Sequence, residues 1–186
     1  MYPPRMANFF GDEVRKALGE RNYVLPETED QLVAMLPDIE VLFGFGMSLD
    51  DWSVATNLKM IQSTGAGVDW LLPAPTLHPD VAVCNAKGAH EPHMPEFAIA
   101  MLLGLAYQVP RLVTQQQTAT WKITKPLPLS GRTLCVVGLG TIGQSIATRA
   151  AALGMRVVGV RRSGDAIDGI DTVVTPAERL RVLQGR

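Results

Sequence analysis

The sequence predicts an α/β fold with parallel strands, divided between two small domains. Three observations predict it. Short apolar runs rich in β-branched residues, such as Leu134-Cys135-Val136-Val137 and Val157-Val158-Gly159-Val160, suit strands buried on both faces of a parallel sheet. Segments whose apolar residues recur at three- and four-residue intervals alternate with these runs, as they do in layered α/β proteins. Gly138, Gly140 and Gly143 join one such strand to one such helix in the pattern G-x-G-x-x-G.

In chain order, Phe9 to Leu18 carries Phe10, Val14, Ala17 and Leu18 at helical spacing and is closed by Gly19. Glu29 to Leu36 reads as a second helix between Pro26 and Pro37. Glu40 to Gly44, Leu58 to Ser63 and Val81 to Asn85 read as strands, with Asp50 to Ala55 a short helical candidate containing Trp52. Pro95 to Val109 is the longest helix candidate and is apolar on nearly every side, so it is expected to be enclosed. The polar Gln115 to Thr118 and the two prolines within Thr124 to Ser130 read as an entry loop to the strand Leu134–Val137. Gln144 to Leu153 is a helix ended by Gly154, Val157 to Val160 a strand, and Thr175 to Gln184 a helix. The expected domains are residues 1–93 and 94–186.

The chemistry of the glycine turn is specific. Gly138 permits a tight turn out of the strand, Gly140 lets backbone amides approach a pyrophosphate with no Cβ in the way, and Gly143 allows close helix–strand packing. The amides of Thr141 and Ile142 then face the phosphates at the positive end of the helix. The competing reading is a glycine turn that is merely structural. At the end of the second strand, where a carboxylate would take the ribose hydroxyls of NAD, the sequence has Arg161-Arg162-Ser163 and no acid before Asp165. Two guanidiniums and a hydroxyl suit the 2′-phosphate of NADP, which is favoured over NAD. A solvated strand end, or stacking on adenine, is the alternative for these arginines.

Composition narrows the rest. With 47% hydrophobic and 19% charged residues the chain can bury a core. Its net charge of -1 makes no broad electrostatic case for nucleic acid or an anionic membrane. The run Phe97 to Tyr107 is far short of the roughly 20 residues that span a bilayer. Met1-Tyr2-Pro3-Pro4-Arg5 does not open a signal peptide. Cys84 and Cys135 lie in apolar, strand-like settings, so buried thiols and a reducing cytoplasm are expected.

Ile61-Gln62-Ser63-Thr64-Gly65-Ala66-Gly67-Val68-Asp69, Asn85 with Gly88, Met94-Pro95-Glu96-Phe97, Trp121, and Leu129 to Thr133 leading into Gly138–Gly143 follow one another in a distinctive order. In that order and spacing the chain resembles the D-isomer-specific 2-hydroxyacid dehydrogenases. The resemblance implies a flavodoxin-like substrate domain, here partial, and the first half of a Rossmann dinucleotide-binding domain, with the family's active site in the cleft between the two. It implies hydride transfer between NAD(P)H and a small 2-keto or 2-hydroxy acid. It also implies that the loop Gly65-Ala66-Gly67 offers backbone N–H groups to the substrate carboxylate, as consecutive amides in a glycine-rich turn can. Phe45-Gly46 resembles the second substrate-side loop. A plain turn at the glycines and a core phenylalanine are the bland counterparts.

Other residues carry less. His90, Glu91, His93 and Glu96 cluster in sequence but offer no organised ligand set, so no metal is expected. Lys87 reads as a surface lysine, and Trp52 and Trp121 as packing or cleft-wall residues. The family's catalytic arginine, glutamate and histidine map onto no residue here, and His78, His90 and His93 are not substitutes. The family's opening strand is also absent before Phe9. The chain is therefore expected to be inactive alone, and its half-sheet to expose an apolar edge that favours a homo-oligomer or another partner chain. Two rival classes are a non-catalytic dinucleotide-binding or assembly module and a hydrolase that retains NAD. Arg161-Arg162-Ser163 and the Gly65–Gly67 loop speak against the second.

Overall fold

A computed structural model describes residues 7–19, 23–47 and 49–178. The chain forms two compact units, Met1–Ala89 and His90–Arg186. The division precedes the expected boundary at residue 93 because the turn after His90 is bonded into the next helix, Met94 N–H donating to His90 O at 3.0 Å.

The first unit holds α1 (Ala7–Leu18), α2 (Glu29–Met35) and three parallel strands, β1 (Val41–Gly44), β2 (Met60–Ser63) and β3 (Ala82–Cys84), ordered β1-β2-β3. Helix α2 starts where the sequence provides a cap: Thr28 Oγ1 accepts from Gln31 N–H at 3.2 Å, and Gln31 Oε1 accepts from Glu27 N–H at 2.8 Å. It tightens into a 3-10 turn at Leu36–Asp38, where Pro37 has no N–H to continue the ladder. Leu32 and Leu36 of this segment cover Leu42 and Ile61 of the sheet, and Met47, Trp52, Leu58 and Leu71 complete the core. Ile61 is fully buried in the central strand. Ile61→Ala should therefore cost about 2–5 kcal/mol, read as a lower midpoint in denaturant unfolding; an unchanged midpoint would place this core elsewhere.

Asp50 to Ala55 is not helical but a pair of turns. The Asp51 carboxylate accepts from Ser53 N–H at 2.9 Å and from Ser53 Oγ at 2.9 Å, and Trp52 N–H donates to Thr76 Oγ1 at 2.7 Å. Those bonds satisfy the backbone locally and displace the helical ladder. The backbone N–H of Ser53, more than its hydroxyl, holds the Asp51 carboxyl below the usual range.

The second unit holds α3 (His93–Ala106), α4 (Val109–Gln117), β4 (Thr133–Val137), α5 (Thr141–Ala152), β5 (Arg156–Val160) and β6 (Thr172–Val174). Its strands are parallel in the order β4-β5-β6, with β4 at one edge. Helix α5 packs on β4 and β5, and α3 packs on α5. Val157, Val158 and Val160 are buried in β5, which has a neighbour on both sides.

Several expectations fail here. Gln115 to Gln117 belong to α4 rather than to a loop. Gln108, in the left-handed region at φ 56°, breaks the chain between α3 and α4, and the proline at the start of α4 suits a first helical turn. Within its own unit, helix α3 is covered on one face, which meets α5 through Ile99, Leu102 and Leu103. Trp121, at 96% exposed, is not a packing residue, whereas Trp52 is core. Cys84 and Cys135 are free thiols, half-buried rather than buried. The strand β6 has no counterpart among the predicted elements, and the predicted helix from Thr175 lies outside the described residues after 178. The start of that segment is capped, Glu178 Oε2 accepting from Thr175 N–H at 2.9 Å. No single described helix is long and apolar enough to cross a membrane; α3 and α4 reach that composition only as a pair bent by 62°.

Candidate functional site

Each unit gathers its chemically distinctive residues at the carboxyl ends of its strands, where open parallel sheets bind ligands. In the first unit, Gly44 pairs with Ser63 and Gln62 with Cys84, so the segments beginning at Phe45, Thr64 and Asn85 leave the sheet together. Thr64 N–H donates to Gly44 O and Ala86 N–H to Gly65 O, each at 3.0 Å, lashing the three segments side by side. Phe45 is 43% exposed and sits edge-on to Trp70, with ring centroids 6.2 Å apart, so it is not the core phenylalanine of the bland reading. Its ring lies against the loop: a Cβ on Gly65 would stand 2.7 Å from Phe45 Cε2. At 65 the glycine serves the close approach of the Phe45 ring rather than a left-handed turn, and a side chain there would displace that ring. Ala66 and Gly67 are exposed. Nearby, Thr64 Oγ1 and Trp70 Nε1 are buried with no hydrogen-bond partner among the described residues. Each such orphan costs about 1–3 kcal/mol, which structures tend to retain at functional sites rather than in scaffolds.

In the second unit the turn after β4 begins at Gly138, at φ 97°, whose N–H donates to Val160 O at 2.9 Å. Gly140 caps α5 with extended backbone, and a Cβ there would meet nothing within 4 Å. Gln144 N–H makes the first bond of the helix, to Gly140 O at 2.9 Å, and the N–H groups of Thr141, Ile142 and Gly143 have no partner among the described residues at the positive end of a 12-residue helix. Gly143 is buried, and a Cβ on it would stand 1.9 Å from Gly138 O. Gly138 thus makes a left-handed turn, Gly140 leaves its Cβ position open and Gly143 packs tightly.

Across from this turn, Arg161 N–H donates to Val174 O at 3.1 Å, so β6 fixes the backbone just beyond β5. Arg161 is half-buried and Arg162 and Ser163 are exposed, and neither guanidinium has a carboxylate partner among the described residues. A cleft of about 670 Å³ is lined by the turn residues Gly138, Leu139 and Gly140 and by Arg161, Arg162 and Ser163, together with Val137, Val160 and Pro176. These residues can hold a dinucleotide: free amides for the pyrophosphate, an unobstructed Cβ position at 140, and free cations at the far end.

Sequence reasoning missed one supporting pair. A Cβ on Gly159 in β5 would stand 2.3 Å from Leu139 Cδ1, so the buried Leu139 anchors the turn by filling the space above Gly159. A glycine in the interior of a strand was the available signal. His90 and His93 are exposed, as is Lys87, and no three His, Cys, Asp or Glu side chains converge as metal ligands among the described residues.

The turn, the crossover helix and the parallel strand order define the first half of a Rossmann-type nucleotide-binding domain. Residues 99–183 match the family model described as D-isomer specific 2-hydroxyacid dehydrogenase, NAD binding domain. The chain belongs to this family. It is 30% identical to a hydroxypyruvate reductase of Thermotoga maritima over 135 residues, 70% of the chain and 44% of that relative. Among solved structures it superposes on a D-isomer specific 2-hydroxyacid dehydrogenase family protein of Aeromonas salmonicida with TM-score 0.79 and 29% identity, covering 96% of the chain and 58% of that protein. An NADPH-dependent glyoxylate/hydroxypyruvate reductase of Sinorhizobium meliloti, solved with NADP and sulfate, gives TM-score 0.72 and 26% identity over 90% of the chain and 54% of its own. The chain thus spans about half the length of each of these three proteins.

Proposed function

We propose that this chain supplies the coenzyme grip and the substrate-carboxylate loop of an NAD(P)-dependent 2-hydroxyacid oxidoreductase, with NADP preferred. The cleft between the glycine turn and Arg161-Arg162-Ser163 carries the reading. The amides of Thr141, Ile142 and Gly143 bind the pyrophosphate, and the two guanidiniums and the Ser163 hydroxyl bind the 2′-phosphate. The bound nicotinamide supplies or accepts the hydride. In the first unit, the Ala66 and Gly67 amides take the substrate carboxylate, with Phe45 beside them. Preference for NADP is also in keeping with the bound coenzyme of the Sinorhizobium meliloti reductase. The free thiols suit a reducing cytoplasm, and the unpartnered edge of β4 and the outward stripe of α3 suit association with a second chain.

A proton must accompany the hydride, and we assign that role to none of the described residues. His78 is exposed beside Asp80, 3.7 Å away, and His90 and His93 are exposed at the entry to α3. The 186-residue chain is therefore expected to bind NADPH without reducing glyoxylate or hydroxypyruvate. Coenzyme titration and a turnover assay on one preparation test this: binding without turnover is the expected pair, and robust turnover would mean that an acid/base group has been overlooked. A non-catalytic dinucleotide-binding module is the second reading, favoured by the same missing group. It predicts coenzyme binding with no response to a 2-hydroxy acid.

A further inference from the structure

The loop Gly65-Ala66-Gly67 is held in a one-sided way: every one of its carbonyls is occupied, and two of its amides are not. Gly65 O accepts from Ala86 N–H at 3.0 Å, Ala66 O from Asn85 Nδ2 at 3.0 Å, and Gly67 O from Ser63 Oγ at 3.3 Å. The Ser63 oxygen accepts in turn from Gly65 N–H at 3.2 Å. No described residue accepts from Ala66 N–H or Gly67 N–H.

We propose that Ser63 and Asn85 are positioning residues that make this loop an anion cradle by tying its carbonyls back toward the strands and leaving the Ala66 and Gly67 amides to bind a carboxylate. The inference rests on the carboxylate-loop reading above and adds to it the two side chains that create the asymmetry. An untethered glycine loop presents N–H and C=O groups about equally, and a carbonyl turned toward an anion repels it. Ser63 is suited to the task because it is 0% exposed and spends its single hydroxyl on both ends of the loop, donating to one and accepting from the other. Asn85 is fixed from its other side, its Oδ1 accepting from Lys87 N–H at 3.2 Å, which aims the amide nitrogen at Ala66 O. Neither residue needs to touch the substrate.

The experiment titrates glycolate, with glycolamide as the uncharged control, into isotope-labelled chain and follows the Ala66 and Gly67 amide resonances. Glycolate should shift both, and glycolamide should not. Ser63→Ala should weaken glycolate about tenfold and Asn85→Ala about fivefold, the scale of one lost hydrogen bond. NADPH affinity, which depends on the other unit, should be unchanged in both. Asn85 is exposed, so its variant carries the test if Ser63→Ala fails to fold. Equal glycolate affinity in wild type and variants would overturn the positioning role and leave the carboxylate loop standing. No shift at Ala66 and Gly67 in any form would overturn both.

Discussion

Replacing Arg161 and Arg162 together by alanine is expected to lower NADPH affinity by roughly 100-fold while changing NADH affinity by less than about threefold. The magnitude follows from two charge-assisted hydrogen bonds to a phosphate that only one coenzyme has. The geometry supports it because neither guanidinium is engaged by a carboxylate among the described residues, so neither must be released before it binds. Both side chains are at least partly in solvent, so the interaction is screened: raising salt from low to physiological strength should weaken NADPH more than NADH. Isothermal calorimetry with both coenzymes reads these effects directly. Equal losses for the two would assign the arginines to the shared adenosine or to the fold.

The second large effect is at Gly143. Gly143→Ala places a methyl carbon 1.9 Å from Gly138 O and 3.0 Å from Gly138 C, both backbone atoms that cannot rotate away. Dinucleotide-binding turns sometimes accept alanine at the third position, but this approach is too close unless α5 moves. The variant should lose about 1–3 kcal/mol of stability, the usual cost of overpacking, and bind both coenzymes at least tenfold more weakly as the amides of Thr141 and Ile142 lose their aim. Gly140→Ala separates the two effects. A Cβ there meets nothing within 4 Å, so stability should hold while the methyl intrudes where the pyrophosphate belongs, and affinity for both coenzymes should fall. Thermal unfolding and coenzyme titration on the two variants check the contrast; normal affinity in Gly140→Ala would place the pyrophosphate elsewhere.

Much of this was legible in the sequence, for a physical reason. The β-branched run Val157–Val160 is buried as such a pattern predicts, whereas β4, at the sheet edge, leaves Val137 73% exposed and is not buried on both faces as expected; the glycines between β4 and α5 made the strand–turn–helix order legible. The loop Gly65–Gly67 could be singled out only through the resemblance to a family, since Gly65 alone also reads as an ordinary turn. What escaped depends on tertiary bonds or on very short elements. The three-residue β6 is too brief for any periodicity, yet it pins the backbone at Arg161. Asp50 to Ala55 has helical spacing, but the Asp51 carboxylate captures the Ser53 amide first. Helix α3 is apolar all round, so its sequence does not single out the face its own unit covers, the one that meets α5. Ser63 bonds within its own turn, to Gly65 and Gly67, but Asn85 reaches Ala66 from 19 residues away, a contact no local pattern reveals.

The central claim is that NADPH lies across the carboxyl ends of β4 and β5. Mapping amide resonances of the labelled chain during an NADPH titration tests it most directly. Perturbations concentrated at Gly138–Gly143 and Arg161–Ser163 are predicted, with the second cluster much reduced when NADH is used. Binding that leaves both clusters unmoved, or that perturbs only the first unit, would contradict the account.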